Sequence, residues 1–412
     1  MRRLALCLTP AVLLFLTAFA KNEDTPKLDF DKVDPRRMLI DPYSYWSQPY
    51  SFYFFHHMDK IPHQRLDWVR KSGPKFELKE AKAPFSLTYS INGKTSTLDE
   101  YLEQADVQGF LVLKDNQIVY EKYLHGSAPD DRFLSMSVEK SIVSVLFGTA
   151  VDEGKINVND PVTKYLPDLA DGAYKDCTVK NVLQMASGID FNEDYLDPAA
   201  IIHRTLYDLI RGGESFHQIA VGIKSERAPG TAFHYQSLNT QILGEILQKV
   251  TGVPLNKYAE ERLWKKIGPQ SDAFIYQSEK QPETCAFGCY NATLRDYARF
   301  GLMAMHMGEL NGKRIVSESW MRESLTPPSF NVPHIDEKTG RPVTGYGYQW
   351  WLLPGEDHAF QAVGIYGQNI WIDPAKHVVI AQFSSLPKPS GGGNRSIGRP
   401  HDAIAQKIAA GL

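Results

Sequence analysis

The chain has 412 residues, with 45 lysines and arginines against 48 acids and a formal charge of −3, so no basic surface for nucleic acid is expected. Its length exceeds what one compact core usually serves, which predicts two packed subdomains. Beyond the first twenty residues no stretch is long and apolar enough to span a bilayer, and a soluble protein is expected.

Arg2 and Arg3 precede an apolar run from Leu4 to Phe19, and Ala18, Phe19 and Ala20 stand before charged Lys21. This reads as a secretory signal, residues 1–20, cleaved to leave a periplasmic or secreted protein. Cys7 lies inside the apolar run, away from the new N-terminus, which argues against a lipid anchor. Three cysteines remain, Cys177, Cys285 and Cys289; a Cys285 to Cys289 disulfide and two free buried thiols are both open. Residues 21–81 crowd aromatics such as Tyr43, Tyr45, Trp46, Phe54 and Phe55 without interleaved basic residues, so they read as an N-terminal arm packed on the body, not a base-stacking surface. His56 and His57 have no third ligand nearby in sequence and read as structural; no metal and no cofactor is expected.

Phe110 to Leu113 and Ile118 to Tyr123 flank a polar turn and predict a hairpin. From the segment that follows to about Val253 the pattern is helical, with Asp160 as a cap before Pro161, Gly154 and Gly188 as stops, and an amphipathic run from Leu238 to Val250. Strands return at Tyr346 to Leu353, Asn369 to Ile372 and Val378 to Phe383, with Asp373 and Pro374 turning between the last two. His401 to Leu412 closes as a helix, and Ser390 to Asn394 as a loop. The layout is α+β: an antiparallel sheet flanked by helices, built from residues 82–130 and 275–412, with a helical domain at 131–274 inserted and the active site in the crevice between them.

The chemistry centres on Ser137, Val138, Glu139 and Lys140, at the head of the apolar stretch Ser141 to Val151. Residues three apart share a helix face, so a hydroxyl stands beside an amine, and the Ser137 N–H at the helix start has no intrahelical partner. One turn thus supplies an attacker, a base and one oxyanion donor, provided burial lowers the lysine's pKa. The bland reading is an N-cap serine with a solvated lysine. Two other pairs share the spacing, Ser72 with Lys75 and Ser385 with Lys388, but Pro74 and Pro387 precede the lysines and neither pair begins a helix. Tyr235, on a turn after Pro229 and Gly230 and before a helix, is placed to pass protons. Gly364, Ile365, Tyr366, Gly367 and Gln368 precede a strand whose N–H, from Ile365 or Gln368, would complete the oxyanion hole.

Ser137 with Lys140, Tyr235 with Ser237, and the glycine-rich strand entry occur in the order that resembles the serine β-lactamase and penicillin-binding-protein superfamily. The chain is most similar to its class C branch, which holds serine esterases and 6-aminohexanoate-dimer hydrolases, from about residue 105 onward. The resemblance implies a β-lactamase/transpeptidase-like fold, an acyl-enzyme on Ser137, and Lys140 and Tyr235 as proton shuttles. It also implies a substrate contact at Tyr195. Ser237 stands where the family usually has asparagine, and still donates and accepts. The third box lacks its cation at Ile365 and Tyr366; Lys338, Thr339 and Gly340 spell that box in a polar turn and read as coincidence. The missing cation turns the expected substrate from penicillins to an uncharged small-molecule ester or amide. A D-alanyl-D-alanine carboxypeptidase or β-lactamase is the rival, and a non-catalytic binder on the same fold is disfavoured by the intact trio. The oligomeric state is left open.

Overall fold

The computed structural model describes residues 44–412 apart from 62–63, 83–84, 92, 338–341, 356 and 390–399. The segment expected to be a signal at 1–20, the start of the expected arm, the Lys338 to Gly340 box and the expected loop at Ser390 to Asn394 therefore lie outside the described residues. No helix among those described is long and apolar enough to cross a membrane.

The predicted hairpin forms as Val107–Lys114 and Gln117–Tyr123, closed by Asp115 and Asn116, both in the left-handed region with φ of 50° and 64°. Two such residues give a turn whose twist matches that of the strands, and Asp and Asn tolerate it best after glycine. Along its other edge Val107–Lys114 pairs antiparallel with Val378–Ser384. The sheet continues through Gln368–Asp373 and Phe360–Gly364 to Trp351–Leu352 and Gly345–Tyr346. Segments far apart in the chain thus meet in one sheet, which Lys79–Glu80 ends as a parallel edge strand.

Both faces of this sheet are covered. Phe110, Val112, Trp371 and Ile380 pack under Ile404 and Ile408 of the helix Pro400–Gly411 and under Leu98 and Leu102 of the helix Leu98–Gln104. The helix Leu294–Met305 lies on the opposite face. A Cβ at Gly301 would stand 2.5 Å from Val379 Cγ1, so this helix reaches the sheet through a glycine. Burial on two faces explains why the central strands read as continuous apolar runs.

The helix Glu139–Asp152 is buried from Glu139 to Ala150, as its all-round apolarity requires. It packs against Ser237–Thr251 and Glu318–Ser324. Trp320 lies against Gly148, where a Cβ would come within 2.3 Å of the indole.

Several expectations needed correction. Tyr346 to Leu353 is not one strand: two short strands flank a reversal at 347–350, where Gln349 has φ of 65° and its amide is held by Thr240 Oγ1 and the Leu183 carbonyl. A second, unforeseen sheet runs in the order Gln64–Val69, Ala273–Ser278, Tyr290–Ala292, Phe133–Leu134; of its strands, Phe133–Leu134 and the first two residues of Ala273–Ser278 fall in 131–274, which was expected to be helical. Ala273–Ser278 is buried throughout, so it lacks the alternation that marks a strand. Asp160 does not cap Val162–Tyr165; its carboxylate accepts hydrogen bonds from Lys164 Nζ and Tyr165 OH. Gly188 is not a helix stop, since Val179–Leu183 ends earlier; a Cβ there would overlap the Arg227 carbonyl oxygen at 2.2 Å.

Candidate active site

Ser137 sits in a 3-10 turn, Met136–Val138, that feeds directly into the buried helix. Met136 before it has φ of 44°, a conformation costly for a residue with a side chain and held only where packing insists on it. The packing comes from Gly364, whose added Cβ would stand 2.7 Å from the Ser135 carbonyl oxygen and 2.8 Å from Met136 Cβ. The strand end and the Ser137 turn are therefore in contact because position 364 has no side chain. We expect Gly364→Ala to push the turn away, lowering kcat/KM at least tenfold and stability by about 1–3 kcal/mol; steady-state kinetics and a thermal melt check both.

Lys140 is 1% exposed. Its Nζ donates to Ser137 Oγ at 2.7 Å and to the Phe287 carbonyl at 2.8 Å. It also lies 5.1 Å from the Tyr235 ring centre. Burial pulls its pKa down to about 8, against the opposing pull of the Glu193 carboxylate. A lysine so depressed is partly neutral near pH 8, the form in which an amine can accept a proton.

Tyr235 is buried, stacked on Trp351 and edge-on to Tyr346. Ser237, at the start of its helix, donates from its Oγ to Glu193 Oε1 at 2.7 Å and from its N–H to Glu193 Oε2. Tyr195 OH donates to the same Oε1 at 2.8 Å. Glu193 was missed from the sequence, although it lies two residues before Tyr195; nothing in an isolated run of acids marks it as the buried one. Its carboxylate ties Ser237 and Tyr195 together. Glu193→Gln should lower kcat/KM about tenfold, the order of a lost charged hydrogen bond. It should also shift the acid limb of the pH profile downward, because the carboxylate holds the Lys140 pKa up; an amide that left this limb in place would contradict the role.

Glu139 accepts the N–H groups of Gly288 and Cys289, each at 2.6 Å. Burial raises its pKa to about 7 against those hydrogen bonds.

Ser137, Tyr195, Ser237 and Ile365 all border one small pocket, whose walls include Trp46, Leu206, Leu209 and Phe287. Trp46, from the arm, was not foreseen. The pocket lining contains no lysine, arginine or histidine among the described residues. Gly367 and Gln368 face elsewhere. A Cβ at Gly367 would stand 2.9 Å from Ser384 Cβ, and the Gln368 amide is bonded to the Ser384 backbone. Of the two strand positions considered, Ile365 is the one at the pocket.

The two decoy pairs stay outside regular helices, and Ser385 Oγ is bonded to the Ser51 carbonyl and Gln108. His56 does have a third group beside it, contrary to expectation. Asp131, distant in sequence, pairs with His56 Nδ1 at 2.9 Å, while Nε2 meets the Phe52 carbonyl at 2.8 Å. Both ring nitrogens are engaged, which makes His56 a packing element of the arm.

Known proteins align with this arrangement. A family model described as Beta-lactamase matches residues 95–399. The 6-aminohexanoate-dimer hydrolase of Paenarthrobacter ureafaciens is 35% identical over 301 residues, covering 71% of this chain and 76% of that protein. Among solved structures, one titled "Putative 6-aminohexanoate-dimer hydrolase from Bacillus anthracis" superposes with a TM-score of 0.75 at 23% identity, covering 89% of this chain and 94% of that one. An octameric penicillin-binding protein homologue from Pyrococcus abyssi has a TM-score of 0.58 at 19% identity, covering 76% and 75%. These carry the β-lactamase/transpeptidase-like fold to this chain. The protein belongs to the serine β-lactamase and penicillin-binding-protein superfamily and is a serine hydrolase.

Proposed function

We propose that the protein is an exported enzyme that hydrolyses an uncharged linear amide or ester through an acyl-enzyme on Ser137. The observation that carries this is the 2.7 Å contact between Lys140 Nζ and Ser137 Oγ, made by a lysine that burial depresses to about 8. Neutral Lys140 takes the proton as Ser137 Oγ attacks the carbonyl carbon. The oxyanion is received by the N–H groups of Ser137 and Ile365. Tyr235 relays the proton to the leaving amine or alcohol, and a water then releases the acyl group by the reverse relay.

Substrate choice follows from the pocket wall. A penicillin or a D-alanyl terminus brings a carboxylate, and burying one without a cation is costly. Apart from Lys140, the base itself, no basic residue among those described lines the pocket beside Ser137, so neutral chains are favoured. The name of the Paenarthrobacter ureafaciens relative points to a short linear amide, and Tyr195 at the pocket edge is suited to contact an amide group.

The pH profile follows from Lys140 as base. Below its pKa only the neutral fraction works, so kcat/KM should rise with pH and level off above about 8, with a value at pH 6 roughly a hundredfold below the plateau. A rate still climbing steeply beyond pH 9 would mean an unperturbed lysine. The experiment that separates the readings offers the full chain a p-nitrophenyl ester, a linear dimeric amide and a fluorescent penicillin. Turnover of the first two with slow penicillin reaction is expected. Rapid penicillin turnover would favour the β-lactamase reading, and no turnover of any would favour a binder.

A further inference from the structure

Cys285 and Cys289 bracket a five-residue loop, Cys285-Ala286-Phe287-Gly288-Cys289, that enters the strand Tyr290–Ala292. Both side chains are fully buried and their sulfurs stand 2.6 Å apart. Both are free thiols in the structure; the separation is shorter than that of two thiols in ordinary contact and longer than the ~2.05 Å of an S–S bond, so the pair is poised for bridging. Two thiolates sharing a tetrahedral zinc at ~2.3 Å each would also be farther apart, about 3.8 Å. Cys177, the remaining described cysteine, lies elsewhere, with its thiol directed at the Ser187 carbonyl.

The loop does more than connect. The Phe287 carbonyl accepts from Lys140 Nζ, and the Gly288 and Cys289 N–H groups bind Glu139, the neighbour of Lys140. The Cys285 and Ala286 N–H groups are held by the side-chain oxygens of Gln277 and Gln241. The peptide between the cysteines thus sets where the lysine amine sits.

We propose that Cys285 and Cys289 form a reversible disulfide that staples this loop and so positions Lys140 against Ser137. The positioning part rests on Lys140 being the base, as proposed above; the bridge itself does not. Cys289 borders the same pocket as Ser137, and because both sulfurs are buried exchange with glutathione disulfide takes place while the loop is locally open. The Cys289 thiolate attacks one sulfur of that reagent, forming a mixed disulfide and releasing one glutathione thiolate. The Cys285 thiolate then attacks the Cys289 sulfur and displaces the second. Two protein thiols lose two protons and two electrons, and one glutathione disulfide becomes two glutathione thiols. Burial and the adjacent Cys285 push the Cys289 thiol pKa up, so bridge formation should accelerate with rising pH.

The test uses the full chain, incubated with glutathione disulfide or with dithiothreitol, freed of reagent, denatured in acid, alkylated with iodoacetamide and read by intact and peptide mass. After oxidation we expect alkylation at Cys177 and not at 285 or 289, with those two recovered in one linked peptide; after dithiothreitol, all three should be alkylated. Zinc in stoichiometric amount, with thiols that react only after chelation, would overturn the proposal. So would alkylation at all three positions after oxidation, or a glutathione adduct that persists on Cys289. Ester turnover is measured in parallel. The bridged form should show kcat about threefold above the reduced form with KM little changed, and Cys285→Ala should remove the response to oxidant. Equal kcat in bridged and reduced protein would overturn the positioning role. Absence of turnover in both, with the bridge present by mass, would instead overturn the hydrolase reading and leave the bridge standing.

Discussion

Ser137→Ala is expected to lower kcat/KM for every ester and amide the protein hydrolyses by ~10⁴-fold or more, the scale set by removing a serine nucleophile. The hydroxyl is the atom that Lys140 contacts at 2.7 Å, and the described part of the pocket offers one other hydroxyl of its kind, Ser237, which is committed to Glu193. The variant should remain folded. Ser137 is only half-buried, its side chain caps no helix, and Lys140 keeps its bond to the Phe287 carbonyl. An unchanged circular dichroism spectrum and melting temperature, beside lost turnover, would show that chemistry and not structure was removed. Substantial turnover in a folded variant would assign the nucleophile to another residue.

Lys140→Met should lower acylation by about 10³- to 10⁴-fold, the range associated with losing a general base that acts as a unit with its nucleophile. Methionine fills much of the space of a lysine stem, and an apolar side chain is relieved of the desolvation that depresses the lysine. The loss on the other side is a donor to the Phe287 carbonyl, worth about 1–3 kcal/mol if that oxygen stays dry. These effects oppose, so melting should change little. The pH limb near 8 should vanish with the residue that produces it. Combining the change with Ser137→Ala should cost no more than Ser137→Ala alone, because both remove one proton transfer; additive losses would mean independent roles.

The parts of the site legible from sequence were those written locally. Ser137 and Lys140 are three residues apart ahead of an apolar run, and Tyr235 and Ser237 stand at a turn into a helix. Each carries its geometry in a few adjacent residues. The hairpin before them was legible for the same reason, since Asp115 and Asn116 close it within the turn itself. Glu193 was not legible. Its role depends on burial beside Ser237, forty-four residues away in sequence, and no local pattern distinguishes a buried carboxylate from the solvated acids around it. Likewise Trp46 and the second sheet arise from pairings across long separations, such as Gln64–Val69 against Ala273–Ser278. The glycine-rich entry held two candidate donors, and only the fold separates them: Ile365 borders the pocket with Ser137, whereas the Gln368 side chain bonds the Ser384 backbone.

The proposed hydrolysis runs through a covalent intermediate on one serine. Intact mass spectrometry of protein quenched in acid during turnover of a slowly deacylating ester, followed by peptide mapping, tests it directly. A single acyl adduct is expected on the peptide containing Ser137, absent from Ser137→Ala and much slower to form in Lys140→Met. An adduct on any other residue, or turnover with no adduct under conditions where acylation outpaces release, would contradict it.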